Sequence, residues 1–126
     1  MPAQRATVLV VDDEESLRRL VIRALDGVGF AVLEADNGAT ALRLLADPGP
    51  VHLVISDIHM PVMDGLAFAR EVRRTRPQLP ILFITGRESP GLVGEVLRKP
   101  FGPDTLLTAV ARMLSRPAGT PESFSI

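Results

Sequence analysis

Five residues far apart in the chain carry the functional groups of one kind of chemistry: the carboxylates of Asp12, Asp13 and Asp57, the hydroxyl of Thr85 and the ammonium of Lys99. Carboxylates brought together repel, and at least one takes a raised pKa unless a cation enters. Oxygen-only donors select a hard cation, and Mg²⁺ takes one or two carboxylates, keeps waters and binds substrate phosphate. A carboxylate can also be the nucleophile that becomes an aspartyl-phosphate. Phosphoryl transfer needs mostly positioning and neutralisation of the transferring oxygens. Lys99 is a point charge suited to one such oxygen, and Thr85 can donate a hydrogen bond to another. These parts match phosphorylation of Asp57.

Taken singly, each residue has a plainer explanation. Asp57 can simply open a turn, and Asp12 to Glu15 can favour the positive end of a following helix. Thr85-Gly86 can be a turn, and Lys99 a solvated strand end before Pro100. The elements that position them decide the matter. The runs Thr7 to Val11 and Val51 to Ser56 are β-branched and apolar, as in strands buried on both faces. Phe30 to Ala35, Ile81 to Thr85 and Val96 to Arg98 supply three more strands.

Helices are expected between them. Leu17, Leu20, Val21, Ala24, Leu25 and Val28 form one apolar stripe, ended by Gly27 and Gly29. A second helix runs from about Ala39 to Ala46 behind the Asp36-Asn37-Gly38 cap. A third spans Gly65 to Thr75, with Phe68 and Val72 on one face and Arg70, Arg73 and Arg74 exposed. The last opens near Gly102-Pro103-Asp104, with Pro103 suited to the first helical position and a stripe of Leu107, Val110, Ala111 and Leu114. Strands alternating with helices predict an α/β, doubly wound parallel sheet. Right-handed crossovers place every strand's carboxyl end on one edge. In the flavodoxin-like order 2-1-3-4-5, the first and third strands are neighbours at the switch point. All five residues then share that edge.

The bulk composition narrows the alternatives. At 126 residues, 46% of them hydrophobic and 23% charged, the chain fits one domain with a core of its own. Lys plus Arg number 14 against 15 for Asp plus Glu, which gives no basic footprint for nucleic acid or an anionic membrane. With no cysteine, a disulfide framework and a thiolate metal site are both excluded. His52 and His59 lack the spacing of a transition-metal site. No run approaches the ~18 apolar residues of a membrane helix, and the N-terminus does not read as a signal peptide. A cytoplasmic protein without membrane insertion is expected.

The segments VLVVDDEESLRRL, Asp57-x-x-Met60-Pro61-x-Met63-Asp64-Gly65, Ile84-Thr85-Gly86 and Lys99-Pro100-Phe101 resemble, in order, the receiver domains of two-component response regulators. The resemblance implies that Asp57 accepts phosphate from a histidine kinase or phosphotransfer protein. It implies that Asp13, Asp57 and the backbone carbonyl of His59 ligate Mg²⁺, with Asp12 acting largely through water. It also implies that Thr85 and Lys99 bind the phosphoryl group, and that the Lys99-Pro100 peptide is cis. No enzymatic turnover beyond the domain's own phosphorylation and dephosphorylation is implied.

Two departures stand out. Val96 occupies the position, three before the lysine, where receivers usually carry an aromatic switch residue. The segment between Thr85 and Val96 is roughly two helical turns short, and Gly86, Pro90, Gly91 and Gly94 make it poor helical material. The fourth helix is therefore expected to be shortened or absent, as in receivers fused to hybrid sensor kinases, and the protein to be monomeric. Residues 1–5 read as an N-terminal extension, 6–115 as the receiver and 116–126 as a flexible tail too short for an output domain. A phosphatase of the haloacid dehalogenase type would want a second aspartate two residues after Asp57, where His59 stands. A pure interaction module that has lost phosphorylation fits poorly with all five site residues present.

Overall fold

The computed structural model describes residues 5–47, 49–60, 62–86 and 95–115. Its elements are β1 (Thr7–Val11), α1 (Glu15–Gly27), β2 (Ala31–Ala35), α2 (Gly38–Ala46), β3 (Leu53–Asp57), α3 (Gly65–Thr75), β4 (Ile81–Thr85), β5 (Glu95–Arg98) and α4 (Pro103–Leu114). The five strands pair in parallel in the order β2-β1-β3-β4-β5, as the sequence predicts. Val11 lies beside Ser56, and Asp57 beside Ile84, so the strand ends are level across the centre of the sheet.

Burial follows strand position. Every residue of β3 and β4 is buried, whereas the edge strands β2 and β5 are largely half-buried or exposed. Alternate side chains of the central strands enter two separate cores. Leu9, Val11, Val54, Ile81 and Phe83 meet Ala41 and Leu45 of α2 and Phe68 and Val72 of α3 on one face. Val8, Val10, Leu53, Ile55, Leu82 and Ile84 meet Val21 and Leu25 of α1 and Leu106, Val110 and Met113 of α4 on the other. Phe68 and Phe83 are both fully buried, each contributing roughly 1.5–3 kcal/mol.

Local signals set the helix ends. Asn37 accepts a hydrogen bond from the Thr40 N–H at 2.8 Å, and Asp64 one from the Ala67 N–H at 2.8 Å, each satisfying an otherwise unpaired first-turn donor. Pro103 stands in the first turn of α4. The stripes are rotated from those expected. Leu20 and Val28 are 46% and 58% exposed, and Ile22 packs inward instead, because α1 turns its face toward α4 as well as the sheet. In α4, Leu106 and Met113 fill the core while Ala111 faces out. Arg73 is half-buried rather than exposed: its guanidinium carbon lies 5.8 Å from the centroid of the Phe83 ring.

The expected shortening of a helix between Thr85 and Val96 falls mainly on residues 87–94, outside the described residues, as do the tail 116–126 and residues 1–4. The described residues hold four helices. None of the helices described is long and apolar enough to cross a membrane.

Candidate functional site

The crossovers deliver the predicted groups to one edge. β1 leads into Asp12 and Asp13, β3 ends on Asp57, β4 on Thr85, and β5 runs into Lys99. The Lys99 N–H donates to the Thr85 carbonyl at 2.8 Å and ties the last two together. Oxygens of Asp12, Asp13 and Asp57 all lie within 4.8 Å of one another. Asp13, Asp57, His59, Gly86 and Lys99, together with Glu14, line an open cleft of about 390 Å³ above them. The Lys99-Pro100 peptide is cis.

The carboxylates differ in their surroundings. Asp57 is 5% exposed. Its Oδ1 accepts from the Ile58 N–H at 2.7 Å and from the His59 N–H at 3.4 Å, and its Oδ2 lies 3.5 Å from Lys99 Nζ. One oxygen is thus fixed by the backbone, and the other faces the cleft's ammonium. Lys99 Nζ also lies 3.8 Å from Glu14 Oε1. Asp13 is exposed and Thr85 is buried.

Asp12 is 1% exposed. Its Oδ1 accepts from the Glu14 N–H at 2.9 Å, while the buried Oδ2 has no partner among the described residues. Burial pushes its pKa up to about 6, assisted by the nearby Asp57 and Asp13 and opposed by the Glu14 N–H and Lys99. The raised pKa expected of one carboxylate therefore falls on Asp12, with burial its main cause and the neighbouring carboxylates secondary. An all-oxygen donor set with one buried, unsatisfied carboxylate oxygen fits a hard cation such as Mg²⁺.

Three contributors were not singled out in the sequence as part of this site. Gly65 brings its backbone against that of Asp57 and Ile58: a Cβ there would lie 2.5 Å from the Asp57 oxygen and 2.7 Å from the Ile58 Cα. Only glycine admits that approach, and a glycine just after a capping Asp64 was the available signal. Glu14 and Arg18 stood in the acidic run and on the first helix with no sign of their targets.

Against this geometry, the family model for the response regulator receiver domain matches residues 8–111. The chain belongs to the receiver-domain family of two-component response regulators. It is 36% identical over 115 residues to the response regulator receiver protein CpdR of Brucella abortus, covering 85% of this chain and 95% of that protein. It is 37% identical over 120 residues to the sensor kinase CckA of the same organism, covering 88% of this chain but 13% of the kinase. Against the regulator NtrC of Escherichia coli the shares are 89% and 25%. The chain thus spans an eighth to a quarter of those two longer relatives. Among solved structures, the chemotaxis response regulator CheY4 of Vibrio cholerae matches with a TM-score of 0.80 and 36% identity, covering 87% of this chain and 99% of that one. The receiver domain of the hybrid histidine kinase CckA matches with a TM-score of 0.78 and 34% identity, covering 87% and 100%.

Proposed function

We propose that this receiver, over residues 6–115, accepts a phosphoryl group on Asp57 from a phosphohistidine of a histidine kinase or phosphotransfer protein. A carboxylate oxygen of Asp57 attacks phosphorus, the P–N bond breaks, and its electron pair stays on the donor imidazole nitrogen, which takes a proton from water. Ile58 and His59 hold Oδ1 through their N–H groups, which leaves Oδ2, beside the Lys99 ammonium, as the attacking atom. Lys99 and the Thr85 hydroxyl then balance charge on the transferred oxygens. Asp13, Asp57 and the His59 carbonyl would hold Mg²⁺, with Asp12 through water, and the ion would supply further neutralisation of those oxygens.

The observation that carries this reading is the Asp57 carboxylate, nearly buried at the floor of an acidic cleft with Lys99 at 3.5 Å. We read the domain as a monomeric cytoplasmic relay or switch that catalyses only its own phosphorylation and dephosphorylation, with no nucleic-acid or membrane partner of its own. Labelling with acetyl phosphate and Mg²⁺ tests it. Wild type should gain one phosphoryl group seen by intact mass, and Asp57→Asn none; equal labelling of the mutant would refute the assignment.

A further inference from the structure

Arg18 reaches the acidic cluster through the backbone of Asp12 and not through a carboxylate of the cluster. Its side chain, 15% exposed, reaches back from α1 so that Nη1 donates to the Asp12 backbone carbonyl at 2.7 Å. Its Nε pairs with Glu34 Oε1 of β2 at 2.9 Å. A guanidinium placed for charge balance would take a carboxylate bidentately. Here one arm takes the Asp12 carbonyl and the other Glu34, outside the cluster, while Asp12 Oδ2 stays buried and without a partner among the described residues.

The other polar groups of Asp12 are also engaged. Its N–H donates to the Ala35 carbonyl at 3.1 Å, and its Oδ1 accepts from the Glu14 N–H. With the carbonyl held by Arg18, Oδ2 is the Asp12 acceptor left open among the described residues. The carbonyl sits where the chain leaves β1 for α1, so the same bond fixes the corner that carries Asp13. A charge-assisted hydrogen bond in this half-buried place is stronger than a neutral one. The Glu34 arm is more than half exposed and contributes far less.

We propose that Arg18 is a positioning residue for the cation site: by clamping the Asp12 carbonyl it holds the Asp12 and Asp13 carboxylates turned toward Asp57. The inference rests on reading these three aspartates as the Mg²⁺ site. Outer partners that orient metal ligands typically change affinity 10- to 100-fold when removed.

The test is Mg²⁺ affinity by calorimetry on the folded chain, with amide chemical shifts of Asp12 and Asp13 recorded alongside, for wild type, Arg18→Met, Arg18→Lys and Glu34→Gln. Arg18→Met should weaken Mg²⁺ binding at least 10-fold and shift both amides. Arg18→Lys should fall three- to 10-fold, because a single ammonium lacks the fixed fork. Glu34→Gln should stay within twofold of wild type. A purely stabilising arginine would lower the melting temperature of Arg18→Met without changing the affinity of the folded fraction, and that result overturns the proposal. A loss in Glu34→Gln equal to that of Arg18→Met also overturns it, by moving the effect to the ion pair. Should Arg18→Met not fold, wild-type affinity in Arg18→Lys overturns it equally. A wild-type chain that takes up no Mg²⁺ sinks the cation-site reading itself, whereas wild-type binding with unaltered Arg18 variants sinks only the role of Arg18.

Discussion

Gly65 and Asp57 touch through their backbones: a Cβ on Gly65 would stand 2.5 Å from the Asp57 carbonyl oxygen, and the Gly65 N–H donates to the Ile58 carbonyl at 2.7 Å. Both obstructing atoms are backbone, so an added methyl cannot be relieved by a rotamer change. Gly65→Ala should therefore cost about 1–3 kcal/mol or more and push the end of β3 away from the cleft. Urea unfolding should show the loss. Acetyl phosphate labelling of the folded fraction should slow as well. Wild-type stability and labelling together would contradict this contact.

The contrast between what was readable and what was not follows from this contact. Strand ends are readable where an apolar run stops at a polar residue, so Asp12, Asp57 and Thr85 announce their edge, while Lys99 follows the short strand Glu95–Arg98. The order β2-β1-β3-β4-β5 then brings them together without further information. Contacts aimed at backbone atoms leave no such trace. The target of Gly65 is the Asp57 carbonyl, eight residues earlier in the chain, and that of Arg18 is the Asp12 carbonyl. Helix stripes gave the buried face only to within part of a turn, since the second neighbour of α1 and α4 is each other as well as the sheet. That rotation exchanged Leu20 for Ile22 and Ala111 for Leu106 and Met113.

Asp12 makes the metal-free domain's stability depend on pH. Its pKa stands near 6 in the folded protein against an ordinary 3.8. Between those values the folded chain keeps a proton that the unfolded chain has released. Stability therefore falls as pH rises from about 4 to about 6, and the penalty stays in full above that. A difference of about two pH units corresponds to roughly 3 kcal/mol at most. Asp12→Asn should remove this slope and stabilise the metal-free protein at pH 7.5. Urea titrations in EDTA at pH 4.5 and 7.5 check it, and an unchanged pH slope in the mutant would exclude Asp12 as the source. Mg²⁺ should bind more weakly below pH 6, where it competes with that proton.

Val62, between β3 and α3, has φ +73° and is 90% exposed. A β-branched residue in the left-handed region is strained by about 1–2 kcal/mol, and here no burial compensates. Val62→Asn, which tolerates that region, should raise stability by about 1 kcal/mol and leave Asp57 labelling unchanged. Val62→Gly should gain less, because glycine loses more backbone entropy on folding. Denaturant midpoints decide it; a midpoint below wild type in Val62→Asn would show that the loop does not carry this strain.

Lys99 is shared between two carboxylates, 3.5 Å from Asp57 Oδ2 and 3.8 Å from Glu14 Oε1. Glu14 occupies the N-cap of α1, yet its side chain makes no capping hydrogen bond. It turns instead toward the cleft, where it adds negative charge on the path of an anionic phosphodonor and competes for the ammonium. Its pairing is exposed and therefore weak and salt-sensitive. Glu14→Gln should leave the melting temperature nearly unchanged while raising the rate of acetyl phosphate labelling about two- to fivefold at low salt. The gain should appear mainly as a lower apparent KM for the donor, since the lost charge acts before Asp57 attacks. It should shrink as ionic strength rises, because wild-type repulsion is then screened. A gain that persists undiminished at high salt would point to altered packing, and a slower mutant would mean that Glu14 holds Lys99 in place for the transfer.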